Sequence, residues 1–388
     1  VPVFLHTADW QIGKLFGQFE SDEAAFLAEA RFDAVARLAQ AAAQHDVAAV
    51  LVAGDVFDAQ GVADRTIHRL FDQMSGYAGP WVLLPGNHDA ALAESVWTRA
   101  QRLAAIPDNV HLCLSPQPVV LESANAVVLP APLTQRHTHD DLTQWFAGAH
   151  TPAGMLRIGL AHGSVQGVLA EDIDSANPIA PDRAETARLD YLALGDWHGT
   201  RQIGPRTWYA GTPETDRWRA NESGQALLVE LAAPGATPVV QPLRTGRYAW
   251  RDEALALQVP SDVDAALQHL ASYGPDDVVR LAFSGRVDLD GHRRLARAVE
   301  QARGRARSLQ ADFSALRLEP TADDIATLRA DGYLGEVVAA LRAAQEGPDA
   351  EVARDALAIL AGLLDARRAG DGGGAHSGIG GVRKEAAP

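Results

Sequence analysis

Short apolar runs alternate with amphipathic stretches through the first half of the chain. Val3 to Ala8 reads as a strand, and Glu23 to Gln44 as a helix in which Phe26, Ala30, Val35 and Leu38 recur at roughly helical spacing. Val47 to Ala53 is a buried strand ending in Gly54, Arg65 to Met74 the next helix, and Trp81 to Leu84 a strand ending in Pro85-Gly86. From Val110 to Ala131 the apolar runs follow one another quickly, which predicts hairpins. Leu156 to Ala161, Tyr191 to Leu194, Trp208 to Gly211 and Ala226 to Leu231 continue the strand series. The pattern is that of a layered α/β fold with polar residues at the strand ends, where such sheets carry their chemistry.

Near Pro234 and Pro238 the register changes. Ala256 to Val259, a Val263 to Leu270 helix and a Val278 to Phe283 strand predict a separate small α/β module, and an arginine-rich helix from Arg293 to Arg307 follows. Ile325 to Arg368 is helical in pattern, and the Gly-rich stretch from Asp371 to Pro388 predicts disorder. The expected division is therefore 1–240, 241–320, 321–370 and 371–388.

Composition narrows the function classes. One cysteine, Cys113, excludes a disulfide framework or a cysteine-based zinc site within one chain and fits a reducing cytoplasm. Val1 to Leu5 reads as a first strand and not as a secretory peptide, and no apolar run approaches the roughly 18 residues that cross a bilayer. A cytoplasmic protein with no membrane segment is expected. A net charge of −16 over 388 residues argues against loose binding of nucleic acid through surface lysines. It leaves nucleic acid open as a substrate, because bound divalent cations and local arginines bring their own positive charge.

Five segments carry candidate chemistry: Asp9-Trp10-Gln11, Gly54-Asp55-Val56-Phe57-Asp58, Gly86-Asn87-His88-Asp89, His162-Gly163 and Gly195-Asp196-Trp197-His198. Each follows a strand-like run, so each polar group falls in a loop at a strand's end. These are oxygen and imidazole donors suited to divalent metals, and the Asp55 carboxylate can bridge two ions. Two ions about 3.5–4 Å apart polarise a phosphodiester, activate a water and stabilise the leaving oxygen. His88, beside Asn87, is placed to contact the phosphate or protonate the leaving group, with the Asp58 carboxylate as a candidate to orient its ring. Singly, each motif has an ordinary reading as a turn, a helix cap or a structural histidine; their order and number carry the functional one.

The order and type of these motifs resemble the calcineurin-like metallophosphoesterases. His6-Thr7-Ala8-Asp9-Trp10, Ala53 to Asp58, Tyr191 to Gly195 and Tyr209 to Glu214 are more closely similar to the SbcD-type DNA repair exonucleases. The resemblance covers about residues 1–235 and implies an α/β fold: a four-layer αββα sandwich with a small α/β cap domain and C-terminal helices. It implies one metal held by Asp9, Gln11, Asp55 and His198, a second held by Asp55, Asn87, His162 and Asp196, and His88 as the catalytic histidine. The ions it implies are Mn2+ or Mg2+, and the reaction is phosphodiester hydrolysis on DNA, as a repair exonuclease. It further implies an SMC-like coiled-coil ATPase partner of SbcC type, docked on the helices of 321–370; repair nucleases of this type are often homodimers. Gln11 and Asp196 stand where that family usually has histidine, so the first site is expected to bind metal weakly. The other readings are a small-molecule phosphodiesterase, for a cyclic nucleotide or nucleotide conjugate, and a catalytically weak regulatory subunit. Arg201 and Arg217, with Arg206 and Arg219, flank the last motif and are candidates for phosphate. Trp10 and Trp197 are candidates for stacking on a base, against core packing.

Overall fold

Phe4 and Leu5 lie on opposite faces of one strand, and both are fully buried. A strand buried on both faces belongs to a sheet covered on both sides. In this computed structural model, residues 1–167, 176–321, 323–324 and 332–371 are described, side chains of 365–371 excepted. The Gly-rich stretch after Asp371 and the expected helical start at 325–331 lie outside them.

The strands in chain order are β1 (Val3–Thr7), β2 (Ala49–Val52), β3 (Trp81–Leu83), β4 (Val110–Leu112), β5 (Val119–Leu121), β6 (Ala126–Ala131) and β7 (Leu156–His162). Then come β8 (Ser164–Val165), β9 (Pro178–Ile179), β10 (Tyr191–Gly195), β11 (Arg201–Gly204), β12 (Thr207–Tyr209), β13 (Gln225–Glu230) and β14 (Val239–Arg244). One six-stranded sheet runs β14-β13-β1-β2-β3-β4 and the other β11-β12-β10-β7-β6-β5, with β8 and β9 forming a small separate pair. β1 to β4 are mutually parallel, as are β6, β7, β10 and β12, so both sheets send several strand ends the same way.

Period-two alternation splits the apolar residues between layers. Phe4, Leu51 and Val82 meet Val128, Ile158 and Ala193 between the sheets. Leu5, Val50, Val52 and Leu83 pack outward against helices α1 (Ser21–Gln44), α2 (Asp64–Gln73) and α3 (Val96–Arg102). Leu129, Leu192 and Leu194 pack outward on the other side, with Phe146 and Leu189. The result is the expected helix–sheet–sheet–helix layering.

Three differences from the sequence reading have local causes. Phe26 is 51% exposed; the buried stripe of α1 runs instead through Leu27, Ala30, Ala34, Val35 and Leu38. The region from Val110 to Ala131 is not a run of hairpins: β4 extends the first sheet in parallel beside β3, and only β5 and β6 pair antiparallel, in the second. The first compact unit runs to Trp250, because β14 pairs antiparallel with β13 as an edge strand that tolerates Pro242.

The second unit, Arg251–Pro388, holds most of β15 (Ala249–Leu257), then α5 (Pro260–Ala271), β16 (Asp277–Val287), α6 (Leu289–Arg303) and β17 (Ser308–Leu318). Its core includes Leu270, Phe283, Leu295 and Leu309. β17 escapes the sequence reading although Leu309, Ala311 and Phe313 alternate; an irregularity at Ala282/Ser284 in its parallel pairing with β16 accompanies the change to Leu316 and Leu318. Helices Tyr333–Ala344 and Ala350–Asp371 pair through Val338, Leu341, Leu357 and Leu360. No helix among the described residues is long and apolar enough to cross a membrane.

Candidate metal centre

The carboxyl ends of five parallel strands deliver the polar residues. Asp9 and Gln11 follow β1, Asp55 follows β2, and Asn87 and His88 follow β3; His162 ends β7, and Asp196 and His198 follow β10. Four of these positions have positive φ without being glycine: Asp9 at 54°, Gln11 at 44°, Asp55 at 51° and Asp196 at 101°. Such backbone persists only where the surroundings over-determine it, and it gathers at functional sites. Here the Asp9 N–H donates to the Gly54 carbonyl at 3.0 Å and the Gln11 N–H to the Asp55 carbonyl at 2.8 Å, locking the two loops together. Gly86 is required by close approach: a Cβ there would lie 2.2 Å from Asp55 Oδ1.

Ligand atoms of Asp9, Asp55 and His162 lie within 4.8 Å of one another, and all three residues are buried. His162 Nε2 is 3.5 Å from Asp55 Oδ1 and 3.6 Å from Asp196 Oδ1. Its Nδ1 donates to the Ala53 carbonyl at 2.8 Å. A carbonyl only accepts, so this bond fixes the ring and turns Nε2 toward the carboxylates. His162 Nε2 and Asn87 Oδ1 are buried with no hydrogen-bond partner among the described residues.

Charge is concentrated in a dry place. Burial pushes the Asp9 carboxyl up to about 6, against the pull of His198 and His162. For His162 burial opposes protonation, but Asp55, Asp9 and Asp196 together outweigh it and hold the imidazolium to about 9. Burial raises Asp89 to about 7, with the Asp55 charge adding to it, although both its oxygens accept backbone N–H groups, from Gly86 at 2.6 Å and Phe57 at 3.0 Å.

The Gln11–His198 side is different, because its donors already have partners. Gln11 Nε2 lies 3.1 Å from His198 Nε2, and Lys14 Nζ donates to Gln11 Oε1 at 2.7 Å. His198 Nδ1 and Lys14 Nζ both reach Asp216 Oδ2, at 3.1 Å and 2.8 Å. His198, Arg31 and Arg217 overcome burial and hold the Asp216 carboxyl well below its ordinary range. A cleft of about 340 Å³ opens onto these groups, lined by Asn87, His88, Asp196, Lys14, Arg217 and Arg219 among others.

Comparison with known proteins decides the family. The calcineurin-like phosphoesterase family matches residues 2–292. The chain belongs to that family. A curated relative, the SbcD-type subunit of the nuclease SbcCD of Rhodobacter capsulatus, is 38% identical over 94 residues, covering 22% of this chain and 21% of the relative. The chain thus spans about a fifth of that relative's length in the match. The crystal structure of TT1561 from Thermus thermophilus is similar with a TM-score of 0.40 and 12% identity, covering 63% of this chain and 99% of the other.

As a member of the calcineurin-like phosphoesterases the chain is a metal-dependent hydrolase of phosphoesters, and its residues fit a divalent ion. Asp9, Asp55 and Asp196 are hard anionic donors, and Asn87 Oδ1 and His162 Nε2 are buried donors left without partners. An orphaned buried polar atom costs stability unless a ligand completes it, and two beside three carboxylates point to a cation.

The remaining expected residues fall out as follows. Trp10 is not a stacking platform: it is 1% exposed, donates to Thr7 Oγ1 and packs edge-on against Trp81, because its loop turns it into the α1 layer. Asp58 meets His88, but through its main chain: His88 Nδ1 bonds the Asp58 carbonyl oxygen at 2.8 Å. Arg217 Nη2 lies against Asp216 and His198. Trp197 is half-buried beneath Arg219 and Arg201, whose guanidinium carbons lie 4.7 Å and 5.8 Å from its ring. Of the arginine series, Arg294 pairs with Asp264, Arg303 with Glu300, and Arg305 donates to the Leu270 carbonyl.

Four residues that position the centre escape the sequence reading: Lys14, Arg31, Asp89 and Asp216. Asp89 directly follows His88 in the third motif, and Lys14 lies three residues after Gln11, so proximity is a usable signal for both. Arg31, in the middle of α1, and Asp216 give none.

Proposed function

We propose that this chain hydrolyses DNA phosphodiester bonds as a repair exonuclease, with Mn2+ or Mg2+ as its metal. The observation that carries the reading is the pair of orphaned buried donors, Asn87 Oδ1 and His162 Nε2, set beside three carboxylates at the floor of a cationic cleft. Bound divalent metal supplies Lewis acidity and lowers the pKa of attacking water. Asp55, Asn87, His162 and Asp196 would hold it. Lys14, Arg217 and Arg219 line the cleft and offer donors to phosphate oxygens. His88 Nδ1 is committed to the Asp58 carbonyl, so its hydrogen stays there and Nε2 is the atom that exchanges a proton with the leaving oxygen. Nε2 stands 4.0 Å from Asp55 Oδ2, beside the metal ligands.

DNA as the substrate is supported by the relative named as part of a nuclease and by the motifs similar to SbcD-type exonucleases. A coiled-coil ATPase of SbcC type as partner is supported by the same likeness and by one helix face: Val352, Ile359 and Leu363 are exposed at spacings of seven and four residues on Ala350–Asp371. The net charge of −16 favours a second reading, a small-molecule phosphodiesterase.

The test is Mn2+-dependent degradation of end-labelled DNA beside Asp55→Ala and His88→Ala proteins, with bis(p-nitrophenyl) phosphate in parallel. DNA loss that needs the metal and both residues supports the nuclease. Hydrolysis of the small diester alone selects the second reading.

A further inference from the structure

The two halves of the centre are not equivalent. On the Asn87–His162 side, two donor atoms are buried and unpartnered. On the Gln11–His198 side, the polar atoms close a ring of hydrogen bonds. Lys14 can only donate, so the Gln11 atom facing it at 2.7 Å is the amide oxygen, and the amide nitrogen faces His198 Nε2 at 3.1 Å. That nitrogen donates, so His198 Nε2 accepts and Nδ1 carries the hydrogen that goes to Asp216 Oδ2 at 3.1 Å. The same carboxylate oxygen takes the second Lys14 hydrogen at 2.8 Å, and the ring is complete. Arg217 adds a further donor to Asp216 Oδ2 at 3.1 Å.

A cation on this side would need the His198 Nε2 lone pair, which Gln11 occupies. It would also need a Gln11 oxygen, which Lys14 holds, and a place beside an ammonium and a guanidinium. Turning the Gln11 amide to offer its oxygen would point its N–H groups at Lys14, donor against donor. Histidine at position 11 would present one ring nitrogen and no oxygen to Lys14, so the ring depends on this glutamine.

We propose that this chain is a one-metal phosphoesterase. The single resident ion sits with Asp55, Asn87, His162 and Asp196, and the Lys14–Gln11–His198–Asp216 ring takes the other position, with the Lys14 ammonium as its fixed positive charge. This deepens the phosphoesterase reading and rests on it.

The experiment counts metal. The purified full chain is saturated with Mn2+, freed of excess by gel filtration, assayed for manganese per chain and examined by electron paramagnetic resonance. The expected result is one Mn2+ per chain with an isolated-ion spectrum. The Gln11→His/Lys14→Met double variant is expected to take up a second ion and show Mn–Mn exchange coupling. Asn87→Ala, which leaves the ring intact, is expected to lose the ion. Two coupled ions on the unaltered chain would overturn the one-metal inference and leave the phosphoesterase reading standing. No bound manganese on a folded chain would overturn both.

Discussion

Arg31 offers the most demanding test of how the centre is supported. It is 2% exposed in the middle of α1, and its guanidinium reaches four acceptors. Nε donates to the Trp10 carbonyl at 2.6 Å, Nη1 to the Glu214 carbonyl at 3.1 Å, and Nη2 to the Asp9 carbonyl and Thr212 Oγ1, both at 2.9 Å. Burial lowers the arginine's own pKa, which marks the cost of keeping the charge inside. Arg31→Met keeps the apolar stem and strips three backbone carbonyls of this partner, at about 1–3 kcal/mol each if nothing relaxes. Removing the desolvated charge offsets part of that, which leaves a net loss of about 3–5 kcal/mol. For a unit of this size the melting temperature should fall by about 10 °C. Because two of the acceptors belong to Asp9 and Trp10, Mn2+ affinity should also fall about 10–100-fold. Arg31→Lys keeps the charge but not the planar fork, and should recover less than half of either loss. The assays are thermal unfolding of the metal-free chain and Mn2+ titration of the folded chain. A Met variant that melts within about 2 °C of the parent and binds Mn2+ equally well would refute the reasoning.

Asn87→Ala should weaken metal binding at least tenfold while leaving metal-free stability equal or higher, since it removes an unsatisfied buried oxygen; calorimetry with and without Mn2+ checks both. His162, with its folded pKa raised to about 9, contributes stability to the metal-free chain that is complete below about pH 6.5 and lost as pH rises through 9. Metal displaces that proton, so Mn2+ affinity should rise about tenfold per pH unit toward pH 9, read as proton release in buffers of different ionisation enthalpy. Asp89→Asn should cost about 1–3 kcal/mol despite its equal shape, because one amide N–H group must face the Gly86 or Phe57 N–H; denaturant unfolding would show no such loss if that pairing were unimportant. Trp10→Phe should lower stability and leave KM for DNA unchanged, whereas Trp197→Ala should raise KM with little change in melting.

The layered fold was legible because its strands are short, apolar and terminated by glycine or polar turns, and those features are local. What the sequence reading missed depends on pairing at a distance. β4 lies next to β5 in the chain yet joins the other sheet, and nothing within Val110–Leu121 states which partner each will take. β14 and β17 are largely half-exposed, so their alternation is diluted by polar residues and competes poorly with a loop or helix reading. Phe26 misled because size suggested burial, while the neighbouring Leu27 has the phase that faces the sheet.

The candidate site followed the same division. Asp9, Asp55, Asn87, His88, His162, Asp196 and His198 announced themselves by residue type after a strand, and the strand ends bring them together. The supports did not, since Asp216 and Arg31 work from other elements and contact the motifs only through the tertiary fold. This is also why the exchange of histidine for Gln11 could not be valued from sequence. Read alone, glutamine is a weaker donor in the same role. With Lys14 on one side of its amide and His198 on the other, it is instead a link in a ring, and its oxygen is turned away from the position a metal would occupy. A substitution at a ligand position therefore acquires meaning from the groups that satisfy it, and here those groups come from residues 3, 187 and 205 positions further along the chain.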